Sequence, residues 1–258
     1  MIVTWSKGPA DVYMPEGVLV GTLEKVRRHP WWKARAKLAL AVLAQQGVRP
    51  PASILDAGCG WGLNLERLEQ AGYQVTGMDV SRQVLERIDR PQRQLIEADI
   101  DKPPPEQAQQ RYDGLLALDV IEHLDDDRRA VSNLAALLKP GGMAVLSVPA
   151  LPELFSEFDR LQGHRRRYLP ETLRAAFEGS CLVGLEIFWW GAWMVPVLKR
   201  MRRSRSSPPG GYADYLRLPP WPMPLVMSLA FAWEQRRALK GGLRIGTSLF
   251  AVALRRGV

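Results

Sequence analysis

The run Ile54-Leu-Asp-Ala-Gly-Cys-Gly-Trp-Gly-Leu63 decides how this chain folds. An apolar strand enters glycines at 58, 60 and 62 and continues into a helix, so the backbone at the carboxyl end of the strand is open to close approach by a ligand. The same alternation continues downstream. Strands are predicted at 53–57, 74–79, 94–98, 113–119 and 143–148, separated by segments 63–70, 81–89 and 128–138 with apolar residues at helical spacing. Ser81 is a predicted N-cap, Pro140-Gly141-Gly142 stops the last of these helices, and a helix over 31–46, closed by Gly47, precedes the first strand.

Strands alternating with helices imply a parallel sheet covered on both faces, so the fold class is α/β with a Rossmann-like core. After residue 148 the pattern loosens into a loop, a short helix near 170–178 and a strand near 181–188. Residues 189–244 hold five of the nine tryptophans (Trp189, Trp190, Trp193, Trp221 and Trp233) and the linker Ser204-Arg-Ser-Ser-Pro-Pro-Gly-Gly211. This block is expected to be a helical lid or insertion before a closing strand at 247–254. The expected division is therefore a ligand-binding domain of residues 1–188 and 245–258, with an insertion of 189–244.

The 258 residues are 47% hydrophobic and 24% charged without low-complexity tracts, which excludes a disordered, collagenous or coiled-coil chain. Only Cys59 and Cys181 are present, so neither a disulfide framework nor a cysteine-based zinc site is available. The net charge of +8 is unevenly placed: residues 151–258 hold 17 Lys/Arg against 8 Asp/Glu, while residues 1–150 hold 18 against 19. The N-terminus has no basic segment leading into an apolar one, and the longest apolar stretch, 187–198, is 12 residues and contains Gly191 and Pro196. A spanning helix needs about 20. A cytoplasmic protein is expected, with peripheral contact at the inner membrane face open to the tryptophan-rich basic block.

The ligand is narrowed by what the glycine turn lacks. A dinucleotide fingerprint wants a third glycine five positions after the first, where this chain has Leu63, and Asp56 would meet a pyrophosphate with a negative charge. A ligand with a cationic amino group and no phosphate suits the turn better. Asp79, seventeen residues past Gly62, ends the second strand and can accept from two ribose hydroxyls. Asp99 follows the third strand, within reach of an adenine amino group.

With these residues the chain resembles the class I S-adenosylmethionine-dependent methyltransferases, of the small-molecule type similar to the methyltransferase type 11/12 and ubiquinone-biosynthesis O-methyltransferase families. The resemblance rests on LDAGCGWG, Asp79, EAD ending at Asp99, LALDVIEHL at 116–124 and LLKPGGMAVLSVP at 137–149. It implies a seven-stranded sheet, mostly parallel with an antiparallel last strand, and S-adenosyl-L-methionine as cofactor. It further implies that Asp56, Gly58, Cys59, Gly60 and Gly62 approach the cofactor, that Asp79 and Val80 hold the ribose, that Asp99 and Ile100 contact adenine, and that Leu118 and Asp119 line the site. Arg35 is the implied partner of the methionine carboxylate, and Trp32 either closes over the cofactor or packs.

The implied reaction is methyl transfer to a small-molecule, lipid-linked or sugar-linked acceptor, at a hydroxyl. Enzymes that methylate base amines commonly carry an Asn/Asp-Pro-Pro-aromatic turn after the fourth strand; here the turn is Asp119-Val-Ile-Glu122, which counts against nucleic acid. Asp119, Glu122 and His123 resemble the Glu-x-x-Glu-His metal run of polyprenyl-hydroxybenzoate O-methyltransferases, with Asp in the first place; the alternative is a helix cap beside a metal-free pocket. His164, ahead of His123, is the candidate general base, since imidazole titrates near neutrality. Arg167 and Tyr168, in Gly163-His-Arg-Arg-Arg-Tyr168, are the candidate acceptor-binding pair. Two competing functions remain at this level: an RNA methyltransferase using the basic half, and a non-catalytic cofactor-binding scaffold. The apolar stretches 187–198 and 223–233 are read either as ordinary core or as a lipid-facing patch beside the arginines.

Overall fold

The computed structural model describes residues 1–8, 16–203, 218 and 220–257. Its strands are β1 (Ile2–Thr4), β2 (Ser53–Ala57), β3 (Gln74–Asp79), β4 (Gln94–Glu97), β5 (Tyr112–Leu118), β6 (Leu138–Pro149), β7 (Leu182–Trp190) and β8 (Ser248–Arg255). They form one sheet in the order β1-β4-β3-β2-β5-β6-β8-β7. The pairs from β1 to β6 are parallel, and β8 lies antiparallel between β6 and β7, with Leu146 opposite Ala251 and Trp189 opposite Leu249.

The helices are α1 (Glu16–Arg28), α2 (Pro30–Gln45), α3 (Leu63–Gln70), α4 (Arg82–Ile88), α5 (Asp127–Leu137), α6 (Glu157–Leu161), α7 (Pro170–Ala176), α8 (Met194–Arg203) and α9 (Met223–Ala238). Ser81 caps α4 by accepting from the Val84 N–H at 3.2 Å, as its position before the apolar run predicts. His29 caps α2, its Nδ1 accepting from the Trp31 N–H, and Pro30 starts the helix where a missing N–H costs nothing. Period-two alternation sorts the sheet residues: Leu115, Ala117 and Leu146 pack toward α5 and α7, while Leu116, Leu118 and Val145 pack toward α2 and α9.

Three features depart from the sequence-based expectation. The pattern predicts seven strands; an eighth, β1, adds to the edge of β4, through backbone pairing too short for periodicity to register. The helix α1 is a further element that the sequence reading does not include. The insertion expected from residue 189 begins later, because Trp189 and Trp190 continue β7 against β8 and the Trp190 side chain is fully buried. The linker of 204–211 lies outside the described residues. No described helix is long and apolar enough to cross a membrane.

One buried carboxylate ties the insertion to the sheet. Glu234 of α9 accepts from the Ala192 N–H at 2.6 Å, just after β7, where the first amides before α8 need acceptors. Burial raises its carboxyl while the amides of Ala192, Gly191 and Trp193 oppose the rise. Glu234→Ala leaves those amides unsatisfied, at a cost of about 2 kcal/mol. The expected result is a Tm lower by roughly 4–8 °C in calorimetry. An unchanged Tm would show that the contact contributes nothing.

Candidate active site

Gly58, Gly60 and Gly62 all have positive φ, at 68°, 44° and 71°, which explains why the turn after β2 needs glycine. A Cβ on Gly58 would lie 2.6 Å from Val120, whereas one on Gly60 would have only the Gly58 carbonyl, 4.0 Å away. Gly60 therefore presents bare backbone to the front of the turn. The N–H groups of Gly58 and Cys59 donate to the Met78 carbonyl at 2.7 and 3.0 Å, which joins the turn to the end of β3. Asp79 completes that joint: its Oδ2 accepts from the Gly60 N–H at 2.8 Å and its Oδ1 from the Ser81 N–H at 2.9 Å. Cys59 is buried below the turn and Val80 is half-buried beside it.

Asp56 is 1% exposed, with Oδ1 accepting from Asn64 at 3.1 Å and Oδ2 without a hydrogen-bond partner. Burial pushes its carboxyl from 3.8 up to about 7; Asn64 and Arg35 act against that rise and Asp79 adds to it. An unsatisfied buried carboxylate at this edge fits a ligand that brings a cation. Beyond the end of β4, a small, mostly apolar pocket is lined by residues that include Trp5, Met78, Ala98, Asp99, Ile100 and Asn133. The N-terminal segment forms one wall: Ser6 Oγ accepts from the Asp99 N–H at 2.9 Å, and a Cβ on Gly8 would fall 2.7 Å from both Asp99 Oδ2 and Val80. Trp5, Ser6 and Gly8 carry no motif, so their part in the site is invisible before the fold is known.

At the end of β5, beyond buried Leu118, Asp119 turns toward α2. It pairs with the guanidinium of Arg35, which stacks over the Trp31 ring at 4.9 Å, and accepts from Ser147 Oγ at 2.9 Å. Arg35, near enough to Asp56 to oppose the rise of its carboxyl, is thus already paired with an internal acid. Trp32 is buried against Trp31 and Trp61, with ring centroids 5.0 and 6.1 Å away, so packing describes its position.

Strand β5 leads into a 3₁₀ turn, Ile121–His123, that brings a second group of side chains together. Glu122 is fully buried and neither of its carboxylate oxygens has a hydrogen-bond partner. Burial, reinforced by the negative charge of Asp119, raises its carboxyl well above the usual range. His164 stands over it, with Nε2 3.8 Å from Glu122 Oε1 and Nδ1 3.3 Å from Asp159 Oδ1. The His123 and His164 rings meet edge to face at 4.7 Å. Asp159 is itself fully buried; burial would raise its carboxyl, but the hydrogen bond to His164 and the charges of Arg167 and Arg202 outweigh that and hold it well below the ordinary range.

The basic run after His164 supports this group from behind. Arg165 donates from its backbone to the Glu122 carbonyl at 2.9 Å and from Nε to the His123 carbonyl at 2.7 Å. Arg166 holds the carbonyls of Leu124 and Asp125, both at 2.9 Å. Arg167 and Tyr168, the expected acceptor-binding pair, both have internal partners. Arg167 donates to Asp159 at 2.7 Å and to the Ala150 carbonyl at 2.9 Å, and Tyr168 is buried with its hydroxyl donating to Asp127 at 2.8 Å. The metal expectation also changes: the donor atoms of Glu122, His123 and His164 lie within 4.8 Å of one another, whereas Asp119 is spent on Arg35. Asp159 had a legible signal of a different kind, since Ser156-x-x-Asp159 is a capping box, observed with the Ser156 N–H donating to Asp159 at 2.8 Å.

Comparison with known proteins matches this architecture. The model of a family described as a methyltransferase domain covers residues 28–185. A ubiquinone biosynthesis O-methyltransferase of Coxiella burnetii is 30% identical over 143 residues, 45% of this chain and 56% of that protein. A malonyl-acyl-carrier-protein O-methyltransferase of Pseudescherichia vulneris is 30% identical over 159 residues, 59% of each. The chain thus spans a little over half the length of these curated relatives. Among solved structures, the 4+2 cyclase SpnF is 17% identical with a TM-score of 0.60 over 99% of both chains, and a SAM-dependent methyltransferase from Archaeoglobus fulgidus is 17% identical with a TM-score of 0.51 over 85% of this chain and 94% of that one. The matched residues include the glycine turn and the acids at successive strand ends, and the chain belongs to the methyltransferase-domain family of class I S-adenosylmethionine-dependent methyltransferases.

Proposed function

We propose that this chain transfers the methyl group of S-adenosylmethionine to a hydroxyl of a small-molecule or lipid- or sugar-linked acceptor, with His164 as general base. The supporting observation is the His164–Asp159 pair at the carboxyl edge of the sheet, beside Glu122 and next to the strand end that carries Asp119. When bound, the cofactor supplies an electrophilic methyl on a good leaving group. Asp79 holds the ribose, the pocket at Asp99 and Ile100 takes the adenine, and Asp56 and Arg35 face the charged amino-acid end.

An ionised Asp159 can only accept, so His164 keeps its proton on Nδ1 and leaves the Nε2 lone pair for the acceptor hydroxyl. Arg167 and Arg202 hold Asp159 ionised and so fix that tautomer. The proton moves to Nε2 as the acceptor oxygen attacks the methyl group in line. The protein's larger contribution is positioning, which can supply about 7–11 kcal/mol. Transfer of a labelled methyl group to hydroxylated extract components tests the reading. The methyl group is expected on oxygen, and a product methylated on nitrogen or carbon would overturn it.

Asp56 gives a second check. Its protonated form stabilises the fold in full below the ordinary value of 3.8, and that contribution is lost progressively as pH rises from there through about 7. A ligand amino cation favours the ionised form, so binding expels the proton. Affinity for S-adenosylhomocysteine should climb by up to about tenfold per pH unit below that value and level above it. Calorimetry in buffers of different ionisation enthalpy should show proton release, and Asp56→Asn should flatten the dependence.

A second reading follows from the convergence of Glu122, His123 and His164. One carboxylate and two imidazoles suit a borderline ion such as Zn²⁺ or Mn²⁺ better than Mg²⁺. Such an ion would supply a Lewis acid at the acceptor oxygen. Equilibrium dialysis separates the readings: a retained stoichiometric ion that Glu122→Gln loses supports the metal, and none supports the base. In this proposal residues 1–190 and 245–258 form the catalytic unit, since Trp189 and Trp190 complete β7, and the insertion starts at 191 rather than 189. Through Arg202 and Lys199, α8 braces the acceptor loop at Asp159 and Glu153. The setting is cytoplasmic, where Cys59 and Cys181 remain unpaired.

A further inference from the structure

Helix α9 is apolar on two opposite faces. Inward, Phe231 and Ala238 are buried and Met227 packs beside them, against the Trp190 side of the core. Outward, Leu225, Val226, Leu229 and Trp233 remain 45%, 51%, 63% and 61% exposed, and Trp221, just before the helix, is 77% exposed. Residues 225, 229 and 233 fall on one stripe at helical spacing, with 226 beside it. A helix apolar all round is normally enclosed. The outward stripe is instead open among the described residues.

The same face ends in cations. Arg236, Arg237 and Lys240 are exposed, and the Arg237 guanidinium lies 4.9 Å over the Trp233 ring. The acid of this helix, Glu234, is buried on the opposite side. Residues 189–244 contain ten Lys/Arg and two Asp/Glu, a surplus equal to the net +8 of the whole chain. Helix α8 repeats the combination, with Val197 and Met201 exposed beside Lys199 and Arg200.

We propose that the outward face of α9 docks on an anionic lipid bilayer, lying in the plane of the interface. Leu225, Val226 and Leu229 enter the acyl boundary, Trp221 and Trp233 sit at headgroup level, and Arg236, Arg237 and Lys240 meet the anionic headgroups. Two other occupants fit less well. A second copy packed face to face would bring the three cations against their own counterparts with no exposed acid on the helix to pair them. A nucleic acid would meet the cations but leave the leucine stripe uncovered. The proposal concerns a surface away from Asp79 and His164, and does not depend on the acceptor chemistry.

Sedimentation of the full chain with vesicles tests it. Binding is expected to vesicles containing phosphatidylglycerol, to weaken at high salt, and to be much poorer with phosphatidylcholine alone. The double variant Leu229→Ser/Trp233→Ser, both positions being exposed, should fold as the parent by circular dichroism and lose at least about tenfold in vesicle affinity. Arg236→Glu/Arg237→Glu should remove the preference for anionic lipid. The proposal fails if the parent chain does not bind anionic vesicles, if the serine variant binds as tightly as the parent, or if light scattering finds a dimer that the serine variant dissolves.

Discussion

Asp79→Ala is expected to lower affinity for S-adenosylhomocysteine by roughly 100- to 10,000-fold, because two hydrogen bonds to a charged acceptor are lost at about 1.5–3 kcal/mol each. The ribose hydroxyls are the partners implied by its place at the end of β3. Its present contacts reinforce the effect: without the carboxylate the Gly60 and Ser81 amides lose their acceptor, and the joint between the glycine turn and β3 loosens. Asp79→Asn keeps an acceptor but not the charge, so an intermediate loss is expected. Isothermal titration with folded variants reads both. An alanine variant that binds within a factor of a few of the parent would remove Asp79 from the cofactor site.

His164→Ala should reduce turnover by about 10²–10⁴-fold while leaving S-adenosylhomocysteine affinity close to that of the parent, the signature of a base that acts on the acceptor alone. Asp159→Asn is the sharper variant. It can donate to Nδ1 and so invert the tautomer that presents the Nε2 lone pair. It also leaves Arg167 and Arg202 facing a neutral group, so stability falls as well, and the comparison must be made on variants that retain cofactor binding. Transfer of labelled methyl to the acceptor found by extract screening is the readout. Full turnover in His164→Ala would eliminate the base and favour an acceptor that carries no proton to remove.

Local pattern made much of this molecule legible. The strand-to-turn-to-helix run of 54–63 identifies the cofactor edge because glycine is needed wherever φ is positive, and all three glycines have it. Asp79 and Asp99 could be placed because strand ends in an open α/β sheet lie on one edge. The Trp5 and Ser6 side of the pocket at Asp99 could not, since these residues reach Asp99 through a three-residue strand with no periodicity to detect. The internal partners of Arg167 and Tyr168 were hidden for a related reason. A sequence shows that donors are present, but not which acid they will meet, and here Asp159 and Asp127 accept from them.

By itself the sequence determined the α/β alternation, the glycine turn, the strand-end acids and the concentration of positive charge after residue 150, all properties of short segments or of composition. Tertiary structure alone decided which distant groups share a site. His164 meets Glu122 across 42 positions, Arg35 meets Asp119 across 84, and Glu234 reaches Ala192 across 42. It also split the tryptophans of one block between a buried Trp190 and exposed Trp221 and Trp233. The physical reason is the same in each case. Burial and pairing are set by what the neighbouring elements bring to a point in space, and a buried charge takes whichever partner the fold delivers there.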